Sequence, residues 1–254
     1  MLKLIKHEFR KNLSIYGAML LAFAVLEALY AGGFAADKEE LIAIAFALEA
    51  FAAFAAVVFT VFIAPVNFSR ELKTKSGYLV FMTPNSAYRI IGAKLLSSLI
   101  GVGVLGIISS VLMTLNYGAL SDKFGLDSIR SMMDYMLVNF DLSVGGLISF
   151  AGFMIIEIVV SCFAVSAFAI LAVALSATIL HRQKGRGVIS VILFIVLMGL
   201  LSFISSKLPG AGATSGKDLR ELLISGLPTL ILDAAAAAGA WYASSWLAEH
   251  KIAL

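Results

Sequence analysis

The chain contains six separated apolar stretches, each long enough to cross a lipid bilayer as a helix. At about 1.5 Å of rise per residue, roughly 20 residues span a hydrocarbon core ~30 Å thick. Apolar residues make up 61% of the 254 residues and charged residues only 14%, against roughly a quarter charged in soluble domains. A water-soluble fold of this length has too little interior to bury so many apolar side chains. The sequence therefore predicts an integral membrane protein.

Helices are predicted for all six stretches, because lipid cannot satisfy the polar groups of an open backbone and the stretches lack the alternation of barrel strands. The predicted fold class is thus an all-α integral membrane protein, with one transmembrane domain over residues 1–254 and no separate soluble domain. The predicted spans are residues 15–34, 41–65, 95–117, 147–180, 188–207 and 227–247.

The distribution of Lys and Arg predicts the orientation of the spans, since cytoplasmic loops carry an excess of these residues. With the N-terminus inside, thirteen of the 19 Lys and Arg residues fall on the inner side and six on the outer side. Both termini are therefore expected in the cytoplasm. The first apolar stretch exceeds the roughly 7–15 residues of a signal-peptide core, so it is expected to be retained as an anchor.

An amphipathic pattern over residues 2–13 precedes the first span. Such a helix lies in the membrane plane, with its apolar stripe in the acyl boundary and its cations near anionic lipid headgroups. A short positive flank that only fixes orientation is the alternative. The stripe consists of Leu2, Ile5, Phe9 and Leu13, and the predicted interfacial anchor consists of Lys3, Lys6, Arg10 and Lys11.

The longest inner connection follows the second span and is predicted to contain a short helix over residues 69–78. Asn67 is suited to the N-cap of this helix, and Glu71 falls in its first turn, where the helix dipole favours a carboxylate. Gly77 is expected to end it. The next helix then begins in the cytoplasm, with Arg89 and Lys94 extending along its stem toward water.

The order of these elements resembles the six-helix permease subunits of type-2 ABC exporters, the ABC-2 family. The resemblance covers the whole chain in layout, and it is sharpest in the loop between the second and third spans. The tail from Trp246 to Leu254 is also similar to that of many bacterial members. The matching loop residues are Glu71, Leu72, Thr74, Gly77, Tyr78, Leu79, Pro84, Arg89, Ile90, Ile91, Lys94, Leu95 and Leu96.

The resemblance implies a permease subunit of an ATP-driven exporter in a bacterial cell membrane, which forms the translocation path with a second permease copy, identical or different. ATP and Mg²⁺ would be bound by a separate ABC ATP-binding subunit. This chain itself would carry no cofactor, metal, nucleic acid or catalytic residue. Its coupling helix would dock in a groove of the ATPase subunit, although a merely solvated connecting helix is the alternative. The implied coupling residues are Ser69, Arg70, Glu71, Leu72, Lys73, Thr74, Lys75, Ser76, Gly77 and Tyr78.

Acidic residues within the spans are the main candidates for a polar path. A charged carboxylate at mid-bilayer costs roughly 2.5–3.5 kcal/mol on insertion scales, so each must be paired, protonated or facing water. Glu49 and Glu157 are predicted to lie deepest, whereas Glu27 and Asp233 are expected nearer the outer interface. Structural hydrogen bonds between helices are the alternative role for Glu49 and Glu157, and Glu27 and Asp233 could simply extend to the interface. The candidate path residues are Glu49, Glu157 and Glu27.

Small residues at helical spacing predict close helix packing in two of the spans, because they let helix backbones approach where lipid removes the hydrophobic incentive to associate. These residues are Ala43, Ala47, Ala52 and Ala56 in the second span, and Ala234, Ala238 and Gly239 in the sixth. Packing is the expected role of both sets, in preference to ligand binding.

The segment 210–218 contains a Gly-Lys pair of the kind found in nucleotide-binding loops. Ala211 and Asp218 stand where that pattern requires Gly and Ser or Thr, and no strand is predicted before it. The chain itself is therefore not expected to bind a nucleotide.

An enzyme and a secondary transporter are the main alternatives to an ATP-driven exporter. An intramembrane protease would need a Ser–His dyad, an aspartate pair or a metal site within the bilayer. His7, His181 and His250 all fall in the predicted cytoplasmic flanks, so the chain is predicted not to be an enzyme. A secondary transporter and a non-transporting immunity or assembly factor stay open. The substrate implied by the resemblance is an amphipathic peptide, such as a toxin or antimicrobial, or else a hydrophobic drug.

Overall fold

The computed structural model describes residues 1–72, 86–124, 144–179, 185–208 and 219–250. Within these ranges the chain forms seven helices and no strand, and six of the helices are long and apolar enough to cross a membrane. The predicted all-α class and number of spans are thus confirmed. The helices are α1 (Leu2–Lys11), α2 (Leu13–Ala35), α3 (Glu39–Glu71), α4 (Ala87–Phe124), α5 (Val144–Ile179), α6 (Arg186–Ser205) and α7 (Leu219–His250).

The helices on either side of the longest predicted inner loop are longer than the predicted spans. α3 continues to Glu71 as one helix with Pro65 inside it, so Asn67 does not begin a new helix, and that prediction is wrong. No helix-breaking residue separates Pro65 from Glu71, which lets α3 run on past the apolar stretch. The predicted coupling helix over residues 69–78 therefore starts within the last turn of α3.

Several predicted features lie outside the described residues. These are most of the coupling segment, most of the outer segment between the third and fourth spans, the nucleotide-loop-like stretch and the end of the C-terminal tail. The corresponding residues are 73–85, 125–143, 209–218 and 251–254.

The N-terminal helix α1 ends at Asn12, where α2 follows directly. The Asn12 side-chain amide donates to the carbonyl oxygen of Glu8 at 3.0 Å, which satisfies one of the carbonyls that a helix end leaves free. The rings of Phe9 and Tyr16 stack with centroids 4.9 Å apart. This stacking packs α1 against the first turn of α2.

The amphipathic pattern of α1 is only partly realised in the structure. Ile5 and Phe9 are half-buried, whereas Leu2 and Leu13 are exposed, and Leu13 already belongs to α2. The four cations of the predicted anchor are exposed, as an interfacial helix requires. They are Lys3, Lys6, Arg10 and Lys11.

The chain divides into two compact units, and α3 and α4 each contribute to both. The first unit comprises Met1–Ile63 and Leu96–Asp127. The second comprises Ala64–Leu95 and Ser128–Leu254.

In the first unit, α3 buries a stripe that differs from the predicted small-residue stripe. Ala43 and Ala47 are exposed, so their predicted packing role is wrong, while Ala52 is half-buried. α3 is apolar around most of its circumference, and such a helix gives little pattern from which to choose the packed face. The buried stripe, at helical spacing, is Ala45, Glu49, Ala56, Thr60 and Ile63.

Gly101 of α4 allows a close approach by Tyr16, whose residue surface is only 5% exposed. A Cβ atom at position 101 would lie 2.5 Å from the Tyr16 hydroxyl oxygen and 2.8 Å from its Cζ. We expect Gly101→Ala to lower the free energy of unfolding by about 1–3 kcal/mol, as overpacking typically does. Denaturation by SDS in mixed micelles measures this change.

Gly103→Ala is the matched control for this substitution. A Cβ atom at position 103 would meet nothing within 4 Å, so the change should leave stability equal to or above that of the wild type. Equal effects of the two substitutions would contradict the observed packing of Tyr16.

In the second unit, one apolar core joins the end of α3 and the start of α4 to α5, α6 and α7. Phe68 and Ile91 are fully buried in it, facing small residues of α5 and α7. The predicted small residues of the sixth span, Ala234, Ala238 and Gly239, are exposed instead, so the predicted face of α7 is wrong. The packed positions of α5 and α7 include Ala167, Ile170, Ala174, Ala237, Ala240 and Ser244.

Candidate functional site

The first candidate site is a buried ion pair that joins the end of α3 to the start of α4. The Nζ atom of Lys94 lies 2.7 Å from Oε1 of Glu71. Lys94 is 1% exposed and Glu71 4% exposed. The prediction that Lys94 extends to water is therefore wrong, because α3 is long enough to bring Glu71 within its reach.

This ion pair ties the C-terminal end of α3 to α4 seven residues after α4 begins. Leu72 and Leu95, which directly adjoin its two partners, belong to the apolar core formed with α5, α6 and α7. The ion pair thus lies beside that packed core.

Aromatic residues add a second connection between the start of α4 and the end of α7. The indole Nε1 of Trp241 donates to the main-chain oxygen of Tyr88 at 3.3 Å. The Tyr88 ring lies edge-on to Trp241, with centroids 6.2 Å apart, and 5.5 Å from the ring of Tyr242. Tyr and Trp at helix ends are typical of the membrane–water interface.

The structure places four of the predicted coupling residues. Ser69 and Leu72 are half-buried, Arg70 is exposed and Glu71 is buried in the ion pair. The remaining six predicted coupling residues, Lys73 to Tyr78, lie outside the described residues.

The second candidate site, here named the acid–amide cluster, consists of Glu27, Tyr30, Glu49 and Asn116 in the first unit. The side-chain Nδ2 of Asn116 donates to Oε2 of Glu27 at 2.9 Å and to Oε2 of Glu49 at 2.7 Å. The Tyr30 hydroxyl donates to the main-chain oxygen of Asn116 at 2.6 Å. The cluster therefore joins α2, α3 and α4.

The helix registers explain why these residues meet. Glu27 lies eight residues before the end of α2, Glu49 ten residues after the start of α3, and Asn116 eight residues before the end of α4. All three are thus about 12–15 Å from the corresponding helix ends. Glu27 and Glu49 therefore lie at similar distances from their helix ends, whereas the sequence predicted that Glu49 lies deeper.

The acid–amide cluster brings two carboxyl groups close together. Because both Oε2 atoms bond to one nitrogen, at 2.9 and 2.7 Å, they are no more than 5.6 Å apart. Two ionised carboxylates at ~5 Å would repel by about 3 kcal/mol at an effective dielectric constant of ~20. Among the described residues no cation is paired with Glu27 or Glu49.

The second carboxylate oxygen of Glu49 is also unsatisfied. Glu49 is 1% exposed, and its Oε1 has no hydrogen-bond partner within the described ranges. The amide of Asn116 has only two hydrogens, and both are used by the Oε2 atoms. An acceptor in this environment is costly unless a donor or a cation reaches it.

The other acidic residues of the spans are not part of the acid–amide cluster. Glu157 is half-buried on α5 and belongs to the second unit. Asp233 of α7 accepts a hydrogen bond from Ser161 of α5, an interhelical contact that was not predicted for it from the sequence. Within the described ranges no group of three or more His, Cys, Asp or Glu residues could hold a metal ion.

Sequence reasoning missed Asn116, Tyr30 and the ion pair of Lys94. For Asn116 the signal is hidden, because the predicted third span ends at residue 117, whereas α4 continues to Phe124 and so places Asn116 eight residues from the helix end. For Lys94 the signal is hidden, because it depends on the length of α3 beyond its apolar stretch.

Comparisons of this chain with protein-family models, with curated proteins and with solved structures found no match. What the protein does must therefore be inferred from its own residues.

Proposed function

We propose that this chain is the permease subunit of an ATP-driven exporter that resembles the ABC-2 family. It forms the translocation path with a second permease copy and is moved by a separate ATP-binding subunit. It lies in a bacterial cell membrane with both termini in the cytoplasm, and the exposed cations of α1 contact lipid headgroups. The six spans and the basic inner segments support this proposal.

The ion pair of Glu71 and Lys94 is the observation that carries the proposal. A coupling segment must pass force from a soluble subunit to the spans without bending at its base. The pair, 2.7 Å long and buried, holds the end of α3 to α4 about two turns after α4 begins at Ala87. In this mechanism Glu71 positions the segment, and docking is left to Arg70 and to the residues that follow Leu72.

Cysteine cross-linking tests the docking. Cys162, the only cysteine, is first replaced in a Cys162→Ser background, and Ser76→Cys is added. We expect the new thiol to react with a membrane-impermeant maleimide in inverted vesicles and not in intact cells. A bifunctional cross-linker should then join it to a protein that is photolabelled by azido-ATP.

Ser215→Cys in the same background is the matched control, because residue 215 is predicted to lie on the outer side. It should react in intact cells and give no cross-link to a nucleotide-binding protein. A residue-76 thiol that reacts from outside the cell, or that joins no such protein, would contradict the proposal.

A secondary transporter is the second candidate function, and the acid–amide cluster favours it. Ionisable residues inside a bundle of spans commonly mark ion pathways and proton relays. The two candidates differ in energy source. Export that stops on ATP depletion but survives a protonophore supports the ATP-driven exporter, and the reverse pattern supports the secondary transporter.

An amphipathic peptide is the proposed substrate, with a hydrophobic drug as the second choice. The support is the resemblance together with the strongly apolar bundle, in which α6 has no buried residue among those described. We expect membrane-active peptides to stimulate ATP hydrolysis by the purified complex more strongly than lipophilic drugs do. Stronger stimulation by the lipophilic drugs would instead favour a hydrophobic drug as the substrate.

A further inference from the structure

We propose that the acid–amide cluster binds one small monovalent cation, a proton or an alkali metal ion, held between Glu27 and Glu49. The two carboxylates share the amide of Asn116, at 2.9 and 2.7 Å. That amide is neutral and cannot balance two negative charges. One monovalent cation lowers the charge of the pair from −2 to −1 and relieves the repulsion between the two carboxylates.

The position of the cation follows from the unsatisfied oxygen of Glu49. Oε1 of Glu49 is buried and has no partner in the part of the chain that the structure describes, and the residue is 1% exposed. Each Oε2 atom is already occupied by Asn116. A small cation bound at Oε1 would satisfy this acceptor and lower the charge of the pair to −1.

The groups around the cluster leave the negative charge uncompensated. α2 contributes Glu27 and the hydroxyl of Tyr30, α3 contributes Glu49, and α4 contributes the amide of Asn116. All of these groups are acidic or neutral, and no described Lys or Arg is paired with the acids. Among the described residues, therefore, none supplies the compensating charge, and in this proposal a bound ion does.

The cation site lies wholly within the first unit and is independent of ATP-driven export. Its ligands come from three helices, so its occupancy governs how α2, α3 and α4 are held together. An exporter and a secondary transporter can both contain it. If the cluster binds no cation, the cross-linking result expected for residue 76 does not change, so the two proposals are tested separately.

The experiment uses the full-length protein in lipid nanodiscs and dicyclohexylcarbodiimide, which modifies protonated carboxyl groups in apolar surroundings. Modification is mapped by mass spectrometry at mildly alkaline pH, in sodium chloride, lithium chloride or N-methylglucamine chloride of equal ionic strength. In N-methylglucamine we expect one of the two acids, Glu27 or Glu49, to be modified in each chain. If sodium or lithium suppresses this modification, the bound cation is an alkali metal ion. If neither salt changes the modification, the bound cation is a proton.

Glu27→Gln removes one of the two charges and therefore the need for the cation. We expect modification of Glu49 in this variant to fall about tenfold, or its protection by sodium to be lost. Glu157→Gln is the matched control and should change neither result. The proposal is overturned if both cluster acids stay unmodified while Glu157 reacts, or if Glu27→Gln and Glu157→Gln have the same effect on Glu49.

Discussion

Replacing Lys94 by Met is expected to lower the free energy of unfolding by about 3–5 kcal/mol. Lys94 is 1% exposed and its ammonium lies 2.7 Å from Glu71. Met has nearly the same length and volume, so the packing around the stem is retained and only the charge is removed. The carboxylate of Glu71 then stays buried without its ammonium partner, and this is the source of the loss. Denaturation of the purified protein by SDS in mixed micelles measures it.

The double variant Glu71→Leu/Lys94→Met is the control for this prediction. Replacing a buried ion pair by apolar residues of similar volume is often neutral or stabilising. We therefore expect the double variant to recover most of the stability that Lys94→Met loses. A double variant less stable than either single variant would show that the pair is a source of stability in its own right, contrary to this account.

Asn116→Leu is expected to lower the free energy of unfolding by about 2–4 kcal/mol, the second largest effect. A hydrogen bond to a charged group contributes ~1.5–3 kcal/mol, whereas an interhelical hydrogen bond in a membrane averages ~0.6 kcal/mol. Asn116 makes two such bonds, to Glu27 and to Glu49, and at least one carboxylate is charged. The same SDS denaturation measures the loss.

The triple variant Glu27→Leu/Glu49→Leu/Asn116→Leu separates the lost hydrogen bonds from altered packing at residue 116. Replacing all partners of a buried polar group by apolar ones is close to neutral, so stability should return toward that of the wild type. The bond from Tyr30 uses the main-chain oxygen of Asn116 and is kept in every variant. A loss below 1 kcal/mol in Asn116→Leu would mean that neither carboxylate is charged.

The number and type of the spans follow from physical constraints that act on any sequence of this hydropathy. A run of about 20 apolar residues in lipid must pair its own backbone groups, and a helix does so within one segment. The helix ends are less constrained, because a helix that leaves the apolar core continues until a residue breaks it. This is why α3 extends to Glu71 and the predicted N-cap at Asn67 is wrong.

The packed faces of the helices are harder to predict than the spans. In a soluble helix the polar residues mark the exposed face, but α3 and α7 face lipid with the same residue types that they bury. Ala43 and Ala47 were therefore predicted to pack together with Ala56, although Ala45, which the sequence does not distinguish from them, is the residue that is buried. Buried polar residues are better guides, since Glu49 and Asn116 both point to a packed interior.

The central claim is that a separate nucleotide cycle moves this chain through the segment after Leu72. The most direct measurement is vanadate-sensitive ATP hydrolysis by the tagged chain, purified with its partners from its native membrane into nanodiscs. We expect hydrolysis well above that of a mock purification, and a fall of about tenfold or more when residues 73–78 are replaced by a Gly-Ser linker, which removes the docking contacts. The same replacement at residues 210–215 should leave it unchanged. Hydrolysis at the level of the mock purification, or equal in the two linker variants, would contradict the claim.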